Sequence, residues 1–434
     1  MAMNELALEL NESLKKSCAY DLLSKRGKGI YFPKGIVAQA AEATESAKRY
    51  NATVGLATDK GEPFCLSDIY LNFVPGSLKK KEIFSYAPGG GDKELRKLWK
   101  EEMIRKNPTL KNKLFSGSTV TAGLTHSISL LAFLFVDEGD EIVCPDLFWD
   151  NYELIFENYG GGKLKKFPCF KNGSFNVEAM EKALRETKGN TARIILNFPN
   201  NPTGYTPSKE EAKQIVDAIV RVASEGKKIL VISDDAYYGL FYEEETEKES
   251  LFSFLCDAHE NILAVKGDAA TKEEMVWGFR IGFLTYGSKS LDKEGLDALE
   301  KKTLGAIRCT VSNCDRPGQS LLLKAMKDGK NYNRDKEYLF SKMSERYLMT
   351  KKAVEKHKDS TLLTPYPFNS GYFMAFDTNG RDAESLRLYL LEKYAIGTIN
   401  IMGHSLRLAY CSVEKEMIED LIDMVYKGAE EIWS

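Results

Sequence analysis

Ala269-Ala270-Thr271-Lys272-Glu273-Glu274-Met275-Val276-Trp277-Gly278-Phe279-Arg280-Ile281-Gly282 is the stretch on which the reading of this chain turns. It comes shortly after an apolar run, Ile262 to Val265, that reads as a buried strand. Lys272 therefore stands just past a strand end, with Arg280 downstream and two glycines nearby. An amine held there can form a Schiff base with an aldehyde, and a guanidinium can grip a phosphate with its planar fork of donors. A solvated loop lysine beside a surface arginine fits the same letters, so the neighbouring segments have to decide.

Those segments repeat one pattern. From about 61 to 325, apolar strands alternate with amphipathic helices: Ser118 to Ala122, Glu141 to Cys144, Ala192 to Asn197, Ile229 to Ser233, Ile262 to Val265 and Ile281 to Tyr286 all read as strands. They lack polar alternation, as strands buried on both faces of a mainly parallel sheet do. Repeated βα units predict an α/β class fold, a doubly wound α/β/α sandwich. The helix after Thr206 carries clear signals: Ser208 with Glu211 makes a capping box, Ile215, Val216, Ile219, Val222 and Ala223 form one face, and Gly226 stops it.

From about 326 to 434 the pattern changes to a smaller α+β domain. A long charged helix runs from about Asn333 to Lys356, followed by strands at Gly371 to Phe376 and Leu406 to Tyr410 and a final helix carrying Ile418, Leu421, Ile422 and Val425. Residues 1–60 read as an arm, with helices at Asn4 to Lys16 and Gly35 to Tyr50. A β-like segment, Thr53 to Thr58, ends at the turn Asp59-Lys60-Gly61.

Composition narrows the function classes. A chain of 434 residues is long for one core, so two domains are expected. The net charge of −3 and the lack of a basic block argue against a nucleic-acid partner. The 8 cysteines are scattered, with no C-x-x-C pair and no Cys/His cluster at metal spacing, which fits reduced thiols in a cytoplasmic protein rather than a disulfide framework or zinc site. The opening segment, Met1-Ala2-Met3-Asn4-Glu5-Leu6, lacks the basic-then-apolar pattern of a signal peptide, and the apolar run Leu130 to Val136 is far short of a membrane span.

Four motifs join Lys272. Thr121-Ala122-Gly123-Leu124-Thr125-His126-Ser127 lies between a strand and a helix, where unpaired N–H groups suit a phosphate, though a capped turn gives the same pattern; His126 reads as structural. In Phe148-Trp149-Asp150-Asn151-Tyr152, Trp149 can stack on a flat ring or pack in the core. Asn200-Asn201-Pro202-Thr203-Gly204 forms a turn that aims Asn201 at the strands' C-terminal edge, where α/β ligands bind. Ser233-Asp234-Asp235-Ala236-Tyr237 ends another strand. A buried aspartate there needs a cationic partner, and Asp234 with Tyr237 suits a pyridinium nitrogen and a ring phenolate.

With Asn201, Asp234-x-Ala236-Tyr237, Lys272 and Arg280 in this order, the chain resembles the class I aminotransferases, pyridoxal-phosphate enzymes of the aspartate-aminotransferase fold, from about Thr53 to the last helix. The resemblance implies that Lys272 carries pyridoxal 5′-phosphate as an aldimine and then shuttles a proton. Asp234 would keep the pyridine nitrogen protonated, and Tyr237 and Asn201 would bond the ring oxygen. Arg280, Thr125 and the Leu124 N–H would grip the phosphate, with Thr271 alongside, while Trp149 would stack on the ring. Tyr86, in Ser85-Tyr86-Ala87-Pro88, would reach the phosphate of a neighbouring subunit, which implies a homodimer with shared sites. Arg407 would bind the substrate α-carboxylate bidentately, near the backbone of Gly55. Arg308 would cross the interface to a side-chain carboxylate, or swing aside for aromatic substrates.

Two departures stand out. Ala269 occupies a position where the family often has a serine, and the loop after Pro145 is longer than in aspartate aminotransferases. The implied reaction is amino transfer from an acidic or aromatic amino acid to a 2-oxo acid by a ping-pong mechanism. The alternatives are a C–S β-lyase or a cyclopropane-type synthase of the same fold, and a cofactor-binding regulator.

Overall fold

The structure, a computed structural model, describes residues 3–33 and 35–433. Met1 and Ala2 of the opening segment lie outside the described residues. Seven strands form the main sheet: β1 (Thr119–Thr121), β2 (Glu141–Pro145), β3 (Lys163–Phe167), β4 (Thr191–Asn197), β5 (Lys228–Asp234), β6 (Ile262–Ala269) and β7 (Gly282–Gly287). Their order across the sheet is β1-β7-β6-β5-β4-β2-β3. β7 alone runs against the rest, pairing antiparallel with both β6 and β1.

Each central strand feeds two cores. Ile195, Leu230, Ile232 and Val265 point into one apolar cluster. Their alternates Ile194, Leu196, Val231 and Ala264 point into another. This period of two, apolar on both faces, is what a sheet covered by helices requires. α2 (Leu124–Phe135) covers the first face with Leu124, Ile128 and Leu131. α3 (Lys209–Ser224) covers the second with Ile215, Ile219 and Val222. Its start is the expected capping box: the Glu211 N–H donates to Ser208 Oγ (3.2 Å), and the Ser208 N–H donates to Glu211 Oε2 (2.8 Å). Also used below are α1 (Lys93–Lys106), α4 (Lys293–Thr310) and α5 (Tyr332–Glu355).

A second sheet, β8 (Thr364–Pro365), β9 (Phe373–Asp377), β10 (Ile399–Ile401) and β11 (Ser405–Ala409), is antiparallel throughout, in the order β8-β9-β11-β10. Met374, Phe376, Leu406 and Leu408 pack against Leu386, Leu390, Leu421 and Val425 of the helices at Ala383–Tyr394 and Ile418–Trp433. α5 bridges the two sheets: Tyr332, Leu339 and Met343 join the first cluster of the main sheet, and Tyr347, Ala353 and Val354 join the core of the small sheet.

The segment Thr53 to Thr58 is a correction. Only Thr58 pairs, in a short hairpin with Glu62–Pro63 that turns at Lys60 (φ 53°) and Gly61 (φ 81°). The earlier residues are extended but unladdered, because side chains take their carbonyls: Arg407 Nη2 donates to Thr53 O (2.6 Å) and Trp277 Nε1 to Gly55 O (3.2 Å). Helix Glu5–Leu14 forms as expected; the second helix, Ile36–Ser46, stops short of Tyr50, which pairs instead with Ile396. The second rests on the small sheet, where the Gln39 side chain bonds both backbone groups of Asn400. No helix among the described residues is long and apolar enough to cross a membrane.

Candidate active site

The strand register brings the expected residues together. Asp234, the last residue of β5, stands level with Asn197 of β4 and Gly267 of β6. β6 ends at Ala269, and one helical turn, Ala270–Glu273, then carries Lys272. Leu124, Thr125, Trp149, Asn201, Asp234, Tyr237, Thr271, Lys272 and Arg280 all line one cleft of about 670 Å³, part of it open to solvent. The space suits a small-molecule ligand.

The electrostatics of the cleft are those of a reactive site. Lys272 Nζ lies 4.8 Å from the centre of the Tyr237 ring. Burial, with help from the Arg280 charge, lowers its pKa to about 8 against the pull of the Asp234 carboxylate. The amine thus stands closer to its neutral, nucleophilic form at physiological pH. Burial pushes Asp234 up to about 6, opposed by hydrogen bonds from Tyr152 and the Ala236 N–H and by the Lys272 charge. The Tyr152 hydroxyl donates to Asp234 Oδ2, and Asn197 Nδ2 donates to Oδ1 at 3.3 Å. Burial also raises Tyr237, although Arg407 pulls the other way.

Where Arg280 meets the start of α2, the chain builds an anion cradle. α2 begins at Leu124, and Gly123 before it has φ 85° and ψ 166°. A Cβ on Gly123 would stand 2.7 Å from Arg280 Nη2, and one on Gly282 would stand 2.8 Å from the Leu124 nitrogen. Only bare backbone lets the guanidinium lie against the start of the helix, where N–H groups and the helix dipole favour negative charge. Arg280 itself has φ 56° and donates to Trp277 O at 3.1 Å.

Arg407, on β11, is 2% exposed. It donates to Asn201 Oδ1 (2.9 Å) and Thr53 O (2.6 Å), and its guanidinium carbon lies 4.3 Å from the centre of the Phe373 ring. Its Nε has no partner, an unspent donor of a buried cation. Asn201 is held by a close approach: at Gly204 (φ 75°) a Cβ would meet Phe373 O at 1.9 Å, and the Asn201 N–H donates to Asn197 Oδ1 at 2.7 Å. Gly55 sits beside this group, where a Cβ would come within 3.4 Å of the Tyr237 hydroxyl.

Four expected site residues do not line the cleft of this chain: Arg407 and Gly55 lie against its Asn201 and Tyr237, and Tyr86 and Arg308 stand on the surface. Tyr86 is 88% exposed. Arg308, on α4, is exposed and donates to Ser312 Oγ. Ala269 is buried at the end of β6, and the hydroxyl-bearing Thr271 lines the cleft instead. His126 is structural, as read: its Nδ1 accepts the Ala122 N–H (3.0 Å) and its Nε2 meets Thr310 Oγ1 (2.9 Å). Asn197 and Tyr152, the two side chains that hold Asp234, were not singled out from sequence. Asn197 was visible as the last residue of a strand, and Tyr152 as a second aromatic in the Trp149 motif. Among the described residues no group of three or more His, Cys, Asp and Glu could hold a metal ion.

A buried acid and a weakly basic lysine thus stand at the strand ends of a doubly wound α/β sheet, in one cleft with a guanidinium and a helix start that suit an anion. The family described as aminotransferase class I and II matches residues 66–425, and the chain belongs to it. It is 26% identical over 366 residues to a probable aspartate/prephenate aminotransferase of Aquifex aeolicus, covering 80% of this chain and 84% of that one. It is 29% identical over 205 residues to a probable N-acetyl-LL-diaminopimelate aminotransferase of Bacillus subtilis, covering 47% and 48% of the two chains. The crystal structure of an aminotransferase from Anaerococcus prevotii superposes with a TM-score of 0.82 at 25% identity, covering 94% of this chain and 99% of that one. The chain is thus an aminotransferase of the class I fold.

Proposed function

We propose that this aminotransferase binds pyridoxal 5′-phosphate in the cleft and moves an amino group between an amino acid and a 2-oxo acid by a ping-pong mechanism. The observation that carries the reading is one cleft lined by Lys272 and Asp234 together with Arg280, Leu124 and Thr125, where the Arg280 guanidinium lies against the start of α2. When bound, the cofactor supplies an electrophilic carbonyl and a ring that draws electrons from the substrate carbon.

The chain's own residues do the rest. The Leu124 N–H, Thr125, Thr271 and Arg280 hold the phosphate. Asp234, fixed by Tyr152 and Asn197, accepts a hydrogen bond from the protonated pyridine nitrogen. Trp149 covers the ring face, while Tyr237 and Asn201 bond its oxygen. Arg407 offers its guanidinium to the substrate α-carboxylate, with Gly55 giving that group room. Lys272 holds the cofactor covalently and moves the proton at the substrate α-carbon. Tyr86 and Arg308, both exposed in the single chain, act across a homodimer interface; Arg308 meets a side-chain carboxylate, which favours acidic donors. We read residues 1–60 as an arm, 61–325 as the cofactor-binding domain and 326–434 as the smaller domain. The 8 free cysteines support a cytoplasmic setting.

Initial rates over a panel of amino donors with 2-oxoglutarate test the reading. It predicts parallel double-reciprocal plots and no turnover in Lys272→Ala. Retained activity in that variant, or ammonia release without an oxo acid, would overturn it.

A further inference from the structure

Three times in this chain a residue of the cleft is followed by one that belongs to a charge network: Asp234 by Asp235, Tyr237 by Tyr238, Lys272 by Glu273. In that network Lys266 Nζ, 1% exposed, lies 2.7 Å from Asp235 and 3.0 Å from Asp268. It also sits 4.5 Å from the centre of the Tyr238 ring, whose hydroxyl is 3.1 Å from Lys106 O. Lys106, at the end of α1, pairs with Glu273 and stands 3.2 Å from Glu102. The next acid, Glu274, is 0% exposed and pairs with Lys336 of α5 at 2.6 Å.

The lysine-bearing turn needs such support. Ala270–Glu273 is a single helical turn with no side-chain cap at Ala269, and Met275 just beyond it has φ 52°. One turn alone does not hold itself together. The two acids after Lys272 are each tied to a lysine from a different helix, and a buried carboxylate stays in place only while its cation is present.

We propose that Lys106 and Lys336 are positioning residues: through Glu273 and Glu274 they pin the turn that carries Lys272 and so fix where its amine stands in the cleft. This rests on the reading of Lys272 as the lysine that bonds the cofactor. The charged and titratable groups facing Lys272 itself are Asp234 of β5, Tyr237 just beyond it, Arg280 of the following loop and Cys411 after β11. Lys106 and Lys336 therefore act on the position of the amine and leave its protonation to those groups.

The test is the rate at which cofactor-free protein bonds pyridoxal 5′-phosphate. The amine condenses with the aldehyde, water leaves, and borohydride adds hydride to fix the bond for counting. Wild type, Lys336→Met, Lys336→Arg and Glu274→Gln are compared from pH 6 to 10, with melting temperatures recorded. Lys336→Met is expected to label about tenfold more slowly with an unmoved midpoint pH, as misplacement of a reacting group predicts. Lys336→Arg, which keeps the charge, should recover most of the rate. If Lys336→Met does not fold, Glu274→Gln, which keeps its shape but loses its charge, should still label a few-fold more slowly. Labelling as fast as wild type in the folded variants, even with a lowered melting temperature, overturns the inference and leaves the functional reading standing. No label on Lys272 in wild type overturns both.

Discussion

Gly123→Ala isolates the anion cradle. The new methyl would stand 2.7 Å from Arg280 Nη2 and 3.1 Å from its Cζ, on a backbone at φ 85° and ψ 166°. Two effects follow, and they fall on different observables. The backbone region is nearly restricted to glycine, so the folded protein loses about 1–3 kcal/mol, seen as a lower melting temperature. The guanidinium must also withdraw from the helix start. If it gives up one charge-assisted hydrogen bond to the phosphate, worth about 1.5–3 kcal/mol, affinity falls about 10- to 150-fold. Titration with pyridoxamine 5′-phosphate, which has the phosphate and ring but no aldehyde, reads that loss free of the bond to Lys272. In an Arg280→Ala background the same glycine substitution should cost no further affinity, because both changes remove one contact. Gly123→Ala protein that melts earlier but binds pyridoxamine 5′-phosphate as tightly as wild type would refute the cradle.

The other predictions bear on the remaining groups. Arg407→Lys loses the planar fork and should raise KM for the amino donor about 10-fold or more with a smaller change in kcat; steady-state kinetics read this directly. Arg308→Asp should depress activity with acidic donors far more than with neutral ones, and an equal fall with both would contradict the specificity assigned to it. The reactivity of Lys272 should titrate with a midpoint near pH 8, since its folded pKa is lowered to about 8 and the neutral amine, the reacting form, dominates above it; a midpoint near that of a free lysine would contradict the burial argument. Asp234 has its folded pKa raised to about 6, so native protein holds a proton that the unfolded chain has released, and stability falls as pH rises from about 4 to 6. Asp234→Asn should therefore stabilise the cofactor-free protein by on the order of 3 kcal/mol at pH 7.5 and not at pH 4, read as a higher melting temperature at the higher pH alone.

Much of the main sheet was legible because burial on both faces writes itself as unbroken apolar runs. Ile229 to Ser233 and Ala192 to Asn197 needed no other signal. β3 was not legible: Lys163-Leu164-Lys165-Lys166-Phe167 pairs only with β2, and its lysines suit a sheet edge while hiding the strand pattern. The reversed direction of β7 was not legible either, because an apolar run carries no sign of strand polarity. Thr53 to Thr58 misled for a related reason. Its letters suit an extended chain, but its carbonyls are taken by Arg407 and Trp277 from distant parts of the sequence.

The cleft divides in the same way. Residues placed by their own strand end or turn, such as Asp234, Asn201 and Lys272, could be named from local letters. Tyr152 and Asn197 act on Asp234 only through register and packing, and the ties of Glu273 and Glu274 to Lys106 and Lys336 span helices far apart in the chain. Tyr86 and Arg308 lie outside the single chain's cleft, so their assignment depends on a second subunit.

The central claim is that one amine, that of Lys272, holds the cofactor. Purified protein is loaded with pyridoxal 5′-phosphate, reduced with borohydride, digested, and its peptides sequenced by mass spectrometry. The account predicts one stoichiometric label per chain, on the peptide containing Lys272. A missing label, or one on a different lysine, would contradict it.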